Sequence, residues 1–336
     1  MTEQQRRPTL VDVAQAAGVS RALVSIVMRG APGASESTRQ KVLEAARELG
    51  YRPDSRARLL RSSRTRLLGL SFFSSEAFHA EIVDAAYAEA AACGYEIALS
   101  AVGSGRPEAR AIESLLDFGS EALIMVSPTL SAPELAGYAA NVPVVSLLRN
   151  DVGSLVDSVS SDDSGGIRLA VDHLAGLGHH TIVHVDGGAA VSASQRREAF
   201  RAEMERHGLE VRIVAGGPTE EDGLNAFRSL RDNLPSAVLA FNDRCALGLI
   251  GGLRADGLKV PDDISVLGYD DSQFARLSYM QLSSVSQDAP LLAATAVKRA
   301  VDRIEKPQEP AHIVRTPHLV VRTSTAAPRD GRSAGS

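Results

Sequence analysis

From Leu67 to Asp271 the chain repeats one pattern, a short apolar run followed by a longer amphipathic segment. The runs read RLLGLSFF, YEIALSAV, EALIMVSP, VPVVSLL, HTIVHVDG, EVRIVAGG, SAVLAFND and DISVLGYDD, and intervening segments such as Ala80–Gly94 and Gly165–Leu177 carry helical spacing. Strands alternating with helices at these intervals form parallel sheets covered by helices on both faces. The stretch is long enough for two such sheets, which predicts an α/β fold with two doubly wound subdomains. In open sheets of this kind ligands bind beyond the carboxyl ends of the strands.

The first 66 residues differ in composition. They hold 13 Lys and Arg against 6 Asp and Glu, whereas the remaining 270 hold 23 against 35, so a basic head precedes an acidic body. That asymmetry points to an anionic partner, nucleic acid rather than membrane, because no amphipathic anchor accompanies it. Punctuation divides the head into helices. Thr9 is a candidate N-cap and Gly18 a stop; Ser20 caps a second helix, Arg21–Met28, with Val24, Val27 and Met28 on one stripe. Ser35 opens a third, with Val42, Ala45, Ala46 and Leu49 on one face and Gly50 at its end. Two short helices joined by a Gly-containing turn make a helix-turn-helix unit. With the second helix's stripe facing inward, Arg21, Ala22, Ser25, Ile26 and Arg29 face outward; a plain helical hairpin would show the same stripe.

The segments LVDVAQAAGVSRALVSIVMRG and VLEAARELGYRPDSRARLLR, followed near the end by LVVRTST, resemble the LacI/GalR family of bacterial transcription regulators, and the similarity covers nearly the whole chain. The resemblance implies a helix-turn-helix headpiece over 1–50, a hinge over 51–66 and a periplasmic-binding-protein-like core over 67–327. Within that core one subdomain would take about 67–161 and 288–315, the other about 162–287 and 316–327, with a disordered tail at 328–336. It also implies a homodimer on a palindromic double-stranded operator, with the second helix in the major groove. Arg21 and Ala22 then hold the base-reading positions, and Ser20, Ser25 and Arg29 lie near phosphates. Arg21 suits a bidentate contact to guanine, the alternative being a phosphate contact alone. Ile26 stands where the family commonly carries a base-reading arginine; it can pack on a thymine methyl instead. In the hinge, Ser55–Leu60 is expected to form one short helix, with Leu60 as the minor-groove wedge and Arg56, Arg58 and Arg61 near phosphates. A flexible basic linker is the other reading of this segment, Leu60 excepted. Asp54 replaces the usual Asn, which places a negative charge beside the DNA.

The residues that follow the strands are the candidate effector contacts: Ser75, Phe78, His79, Ser192, Arg196, Asn242 and Asp270. Arg196, Asn242 and Asp270 match the family's effector positions, and the three together suit a small polar ligand, by family default sugar-like. Asn242 and Asp270 could equally cap the helices that follow them. Three departures blur the ligand class: Glu76–Phe78 reads EAF in place of NPF, Leu148 replaces an acid, and Pro218 stands where an aromatic platform is common.

No catalytic constellation stands out. His179, His180 and His184 are close in sequence but sit on a strand, adjacent aspartates such as Asp162–Asp163, Asp262–Asp263 and Asp270–Asp271 point apart along extended chain, and GGAAVSAS lacks a phosphate-loop lysine. The expectation is therefore an allosteric transcriptional regulator, a repressor, that is not an enzyme and uses no cofactor or metal. The alternative is a cytosolic small-molecule-binding or sugar-processing protein whose basic head serves another partner. Cys93 and Cys245 are expected as reduced core residues of a cytoplasmic, nucleoid-associated protein, because the N-terminus lacks a signal-type apolar region. No heptad segment follows LVVRTSTAAP, so no coiled-coil tetramer is expected.

Overall fold

The computed structural model describes residues 8–28, 30–51 and 64–329 and divides into two compact units, Met1–Thr65 and Arg66–Ser336.

The first unit holds three helices, α1 (Leu10–Ala17), α2 (Arg21–Met28) and α3 (Glu36–Glu48). Thr9 and Asp12 form a reciprocal capping box at the start of α1, with the Asp12 carboxylate accepting from the Thr9 amide at 2.6 Å. Gly18, at φ +64°, ends α1, since a left-handed residue at that point favours glycine, and the chain bends by 104° into α2. Ser20 Oγ accepts from the Leu23 amide at 3.2 Å and so caps α2. Val13, Val24, Val27, Val42, Ala45 and Ala46 close a small core, while Arg39 of α3 donates to the Val27 and Ala31 carbonyls and satisfies the end of α2. Leu49 is not on the buried face as expected. It is the C-cap of α3 and is 37% exposed, because the helix ends before its periodicity returns to the core.

The second unit contains two six-stranded sheets. The first lobe is built on β1 (Leu67–Phe73), β2 (Glu96–Val102), β3 (Ala122–Val126), β4 (Val144–Leu147), β5 (Asp157–Ser161) and β11 (His312–Arg315), in the order β11-β5-β4-β3-β1-β2, all parallel. The second is built on β6 (Ile182–Val185), β7 (Arg212–Val214), β8 (Ala237–Leu239), β9 (Ser265–Asp270), β10 (Ser283–Ser286) and β12 (His318–Val320), in the order β12-β10-β9-β8-β6-β7. β12 is antiparallel to β10, an exception to the expected all-parallel sheets that a short edge strand entering from the other lobe makes possible.

Helices cover both faces of each sheet. In the first lobe α4 (Ala77–Ala92) and α11 (Ala289–Glu305) bury Ile82, Ala86, Leu292, Ala296 and Val297 against one face, while α5 (Glu108–Asp117) and α6 (Ala132–Ala139) cover the other through Ile112, Leu115 and Leu135. In the second, α7 (Asp163–Gly176) and α8 (Ala193–Arg206) pack through Ile167, Val171, Phe200 and Met204, and α9 (Glu220–Leu230) and α10 (Asp243–Ala255) through Phe227, Leu249 and Leu253. Helices α4 and α7 begin three and two residues before their sequence-based starts, α7 because the Asp162 side chain caps it by accepting from the Gly165 amide. The chain passes between lobes three times, after β5, after β10 and after β11, so the strand ends face one another across a cleft.

Candidate functional site

On α2, Ser20, Arg21 and Ala22 are exposed, whereas Ser25 and Ile26 are half-buried. Ile26 is less outward than its helical position predicts because the following turn folds back over it: the Ala31 amide donates to the Ile26 carbonyl at 3.1 Å and Gly33 lies against its side chain. Arg29, Arg56, Arg58, Arg61 and Leu60, with the hinge helix expected at Ser55–Leu60, lie outside the described residues.

In the core, Phe78, His79, Ser192, Arg196, Asn242 and Asp270 line one cleft of about 210 Å3 between the lobes. Ser75 does not join them. Its carbonyl turns outward to accept from Arg244 Nη1 at 2.7 Å, because the loop after β1 closes at the cleft mouth before α4 begins. Sequence reasoning missed Ser127, Phe241 and Gln287. Ser127 follows β3 and Gln287 follows β10, so the strand-end rule would have found both.

Arg196 is the best-defined side chain in the cleft. Standing in the first turn of α8, it donates from Nε to Asp163 Oδ1 at 2.8 Å and from Nη1 to the Phe241 carbonyl at 2.8 Å. Its guanidinium lies 3.6 Å from the Tyr269 ring centroid and 4.9 Å from that of Phe241. Burial works against its charge, but Asp163, Tyr269 and Asp270 more than offset it and raise its pKa. Asp270 ends β9 at φ +107°, Ser192 sits at +66° before α8, and Ser127 and Leu148 stand at +50° and +72°, so four non-glycine residues of the lining hold strained backbone. Gln287 Nε2 donates to Asp270 Oδ1 at 2.7 Å, and burial pushes the Asp270 carboxyl well above the usual range despite Arg196.

Two of the expected contacts are already committed to the protein. Asn242 Oδ1 caps α10 by accepting from the Cys245 amide at 2.8 Å, and its Nδ2 donates to the Pro218 carbonyl at 3.2 Å. His79 is 5% exposed, and burial lowers its pKa to about 4. Its Nδ1 accepts from the Phe73 amide at 3.2 Å, which places the ring proton on Nε2, 3.2 Å from Ser127 Oγ.

Residues 9–54 match bacterial regulatory proteins of the lacI family, and residues 171–325 match a periplasmic binding protein-like domain. The lactose operon repressor of Escherichia coli is 32% identical over 332 residues, covering 95% of this chain and 91% of the repressor. The chain belongs to the LacI family. A second LacI-family relative, the HTH-type transcriptional regulator CelR of Thermobifida fusca, is 33% identical over 340 residues, covering 96% and 99% of the two chains. The lac repressor dimer bound to operator and the anti-inducer ONPF superposes with a TM-score of 0.81 at 29% identity, over 96% of this chain and all of that one. The CelR-cellobiose complex gives 0.70 at 31% identity, over 95% and 100%. This LacI-family member is accordingly a DNA-binding regulator of transcription. Among the described residues no single helix is long and apolar enough to cross a membrane.

Proposed function

We propose that this regulator is a homodimeric repressor whose operator affinity is set by a small polar effector bound between the lobes of its core. Headpiece 1–50, hinge 51–66 and core 67–327 would divide the labour of base reading, coupling and sensing. The observation that carries the effector reading is Arg196, fixed on two sides by Asp163 and the Phe241 carbonyl and stacked on Tyr269, with Nη2 left for a ligand in a cleft that also holds Asp270. A guanidinium held this rigidly loses little entropy when it meets a ligand. Phe78, Ser192 and Asn242 also line it. Effector binding changes how the lobes close, and the three crossings transmit that change to the hinge, a coupling between two sites through one two-state element. The protein acts by binding rather than catalysis.

On DNA, exposed Arg21 supplies the polar base contact, with Ala22 beside it and Ser20, Ser25 and Arg29 at phosphates. Ile26 packs on a thymine methyl, Leu60 wedges into the minor groove, and Arg56 and Arg58 contact the backbone. Selection of binding sites from random DNA, repeated at two salt concentrations, tests this reading. A palindromic site with a guanine opposite Arg21 and a salt-sensitive affinity is expected; no enriched palindrome would refute it. A thermal-shift metabolite screen on the full chain tests the effector reading, since a ligand that binds only the folded state raises its melting temperature.

A further inference from the structure

The cleft's hydrogen-bonding groups are unevenly committed. On the donor side, Arg196 already donates through Nε and Nη1, Asn242 to the Pro218 carbonyl, Gln287 to Asp270, His79 to Ser127, and Thr129 Oγ1 to Glu108 at 2.6 Å. At the mouth, Arg244 donates to Glu220 at 2.6 Å and to the Ser75 carbonyl. Within the lining Arg196 Nη2 is the cationic donor left, beside the second amide protons of Asn242 and Gln287 and the Ser192 hydroxyl. On the acceptor side stand the Glu76 carboxyl, which takes one hydrogen bond from Ser75, and the second oxygen of Asp270, both in the lining. Charge follows the same pattern. Two guanidiniums, Arg196 and Arg244, face four carboxyls, Asp163, Asp270, Glu76 and Glu220, and each guanidinium is already ion-paired to one of them. Glu76 and Asp270 are left without an ion pair among the described residues, inside a cleft walled by Phe73, Phe78, Leu148 and Phe241.

We infer that the effector is a small hydroxylated amine, an amino sugar or amino polyol, whose protonated nitrogen takes the Glu76 and Asp270 side of the cleft. An ammonium brings the positive charge that neither carboxyl finds in an ion pair, with three donors to share between them. Its hydroxyls would meet Arg196 Nη2 and the Ser127 hydroxyl, whose oxygen already accepts from His79 and whose proton is therefore free to be donated. Burial pushes the pKa of both Glu76 and Asp270 upward; Arg244 and a hydrogen bond from Ser75 only partly oppose it at Glu76, as Arg196 and Gln287 do at Asp270, so a bound cation favours the ionised form of both. A carboxylated ligand would instead set another acidic group against two carboxyls whose charged forms burial already disfavours.

The inference rests on the cleft being the effector site, and one screen separates the two. The full chain is titrated by thermal shift, at about pH 6.5 where such amines are protonated, with 2-amino-2-deoxyhexoses, the parent hexoses and the matching uronates in gluco, galacto and manno configurations. At least one amine should bind about tenfold more tightly than its parent hexose, with the uronate weaker still. Glu76→Gln and Asp270→Asn, each checked for an unchanged circular dichroism spectrum, should erase the advantage of the amine over the hexose. A hexose or uronate binding as tightly as the amine, or an advantage that survives both substitutions, overturns the amine assignment and leaves the effector site standing. Silence of these sugars and of the wider metabolite screen overturns both.

Discussion

The guanidinium of Arg196 lies 3.6 Å from the centre of the Tyr269 ring while its Nε holds Asp163 at 2.8 Å. One side chain thereby ties the first turn of α8 to the start of α7 and the end of β9. Lysine keeps the charge but has neither the planar face nor the fork. Arg196→Lys should abolish the ligand-induced thermal shift and, by leaving Asp163 poorly paired, lower unfolding free energy by ~2–3 kcal/mol in urea titrations.

Gly166 supplies the room that the Tyr269 ring occupies, and a Cβ there would overlap the phenol oxygen. Gly166→Ala should cost ~1–3 kcal/mol by overpacking and should weaken ligand binding with it, because the ring that supports Arg196 is displaced. Gly251, in the exposed middle of α10, has nothing within 4 Å of a Cβ, so Gly251→Ala should stabilise by ~0.5–1 kcal/mol. Opposite changes in melting temperature for the two glycines are the measurement.

Asp157, fully buried on β5, accepts from Arg299 at 2.5 Å, from Arg303 at 2.5 Å and from the Ala311 amide at 2.8 Å. It joins α11 to the segment that leads into β11. Asp157→Asn leaves two largely buried guanidiniums short of a counter-charge and should cost ~3–5 kcal/mol, read from the urea midpoint.

His79 and His184 are both buried, and burial lowers the pKa of each to about 4. His184 Nδ1 donates to the Leu239 carbonyl at 3.0 Å and its ring packs on Phe200, while its Nε2 has no partner among the described residues. In the unfolded chain both rings protonate near 6.5, whereas in the folded chain they stay neutral down to about 4. Their contribution is complete above pH 6.5 and is lost as pH falls toward 4, by ~3 kcal/mol for each ring. Melting temperature should therefore fall steeply across that window, and His184→Phe should remove about half of the slope.

The alternation of apolar runs and helices, a backbone-level pattern, was enough to read the two sheets and the strand ends that bound the cleft. Capping residues were equally legible, Thr9 and Ser20 being used as their positions suggest. What the sequence hid were roles set by long-range partners. His79 looks like a ligand contact until the Phe73 amide, brought close by the turn after β1, is seen to occupy its Nδ1. Asn242 reads as ligand or cap, and only the geometry shows both ends of its amide in use. Ser75 turns away because its carbonyl, invisible to any side-chain motif, is taken by Arg244. β12 pairs antiparallel because the chain crosses lobes once more after β11, and nothing local announces that crossing.

The two closing strands have a consequence for how the molecule is made. β11 completes the edge of the first sheet and β12, only a few residues later, the edge of the second, while Leu292, Ala296 and Val297 of α11 supply part of the first lobe's interior. During synthesis the first lobe must therefore wait, with the sheet face that α4 and α11 share only half covered, while the second lobe up to β10 is translated. Both halves reach completion within the same few codons, so a ribosome that stalls before His312 releases two unfinished lobes rather than one finished and one missing.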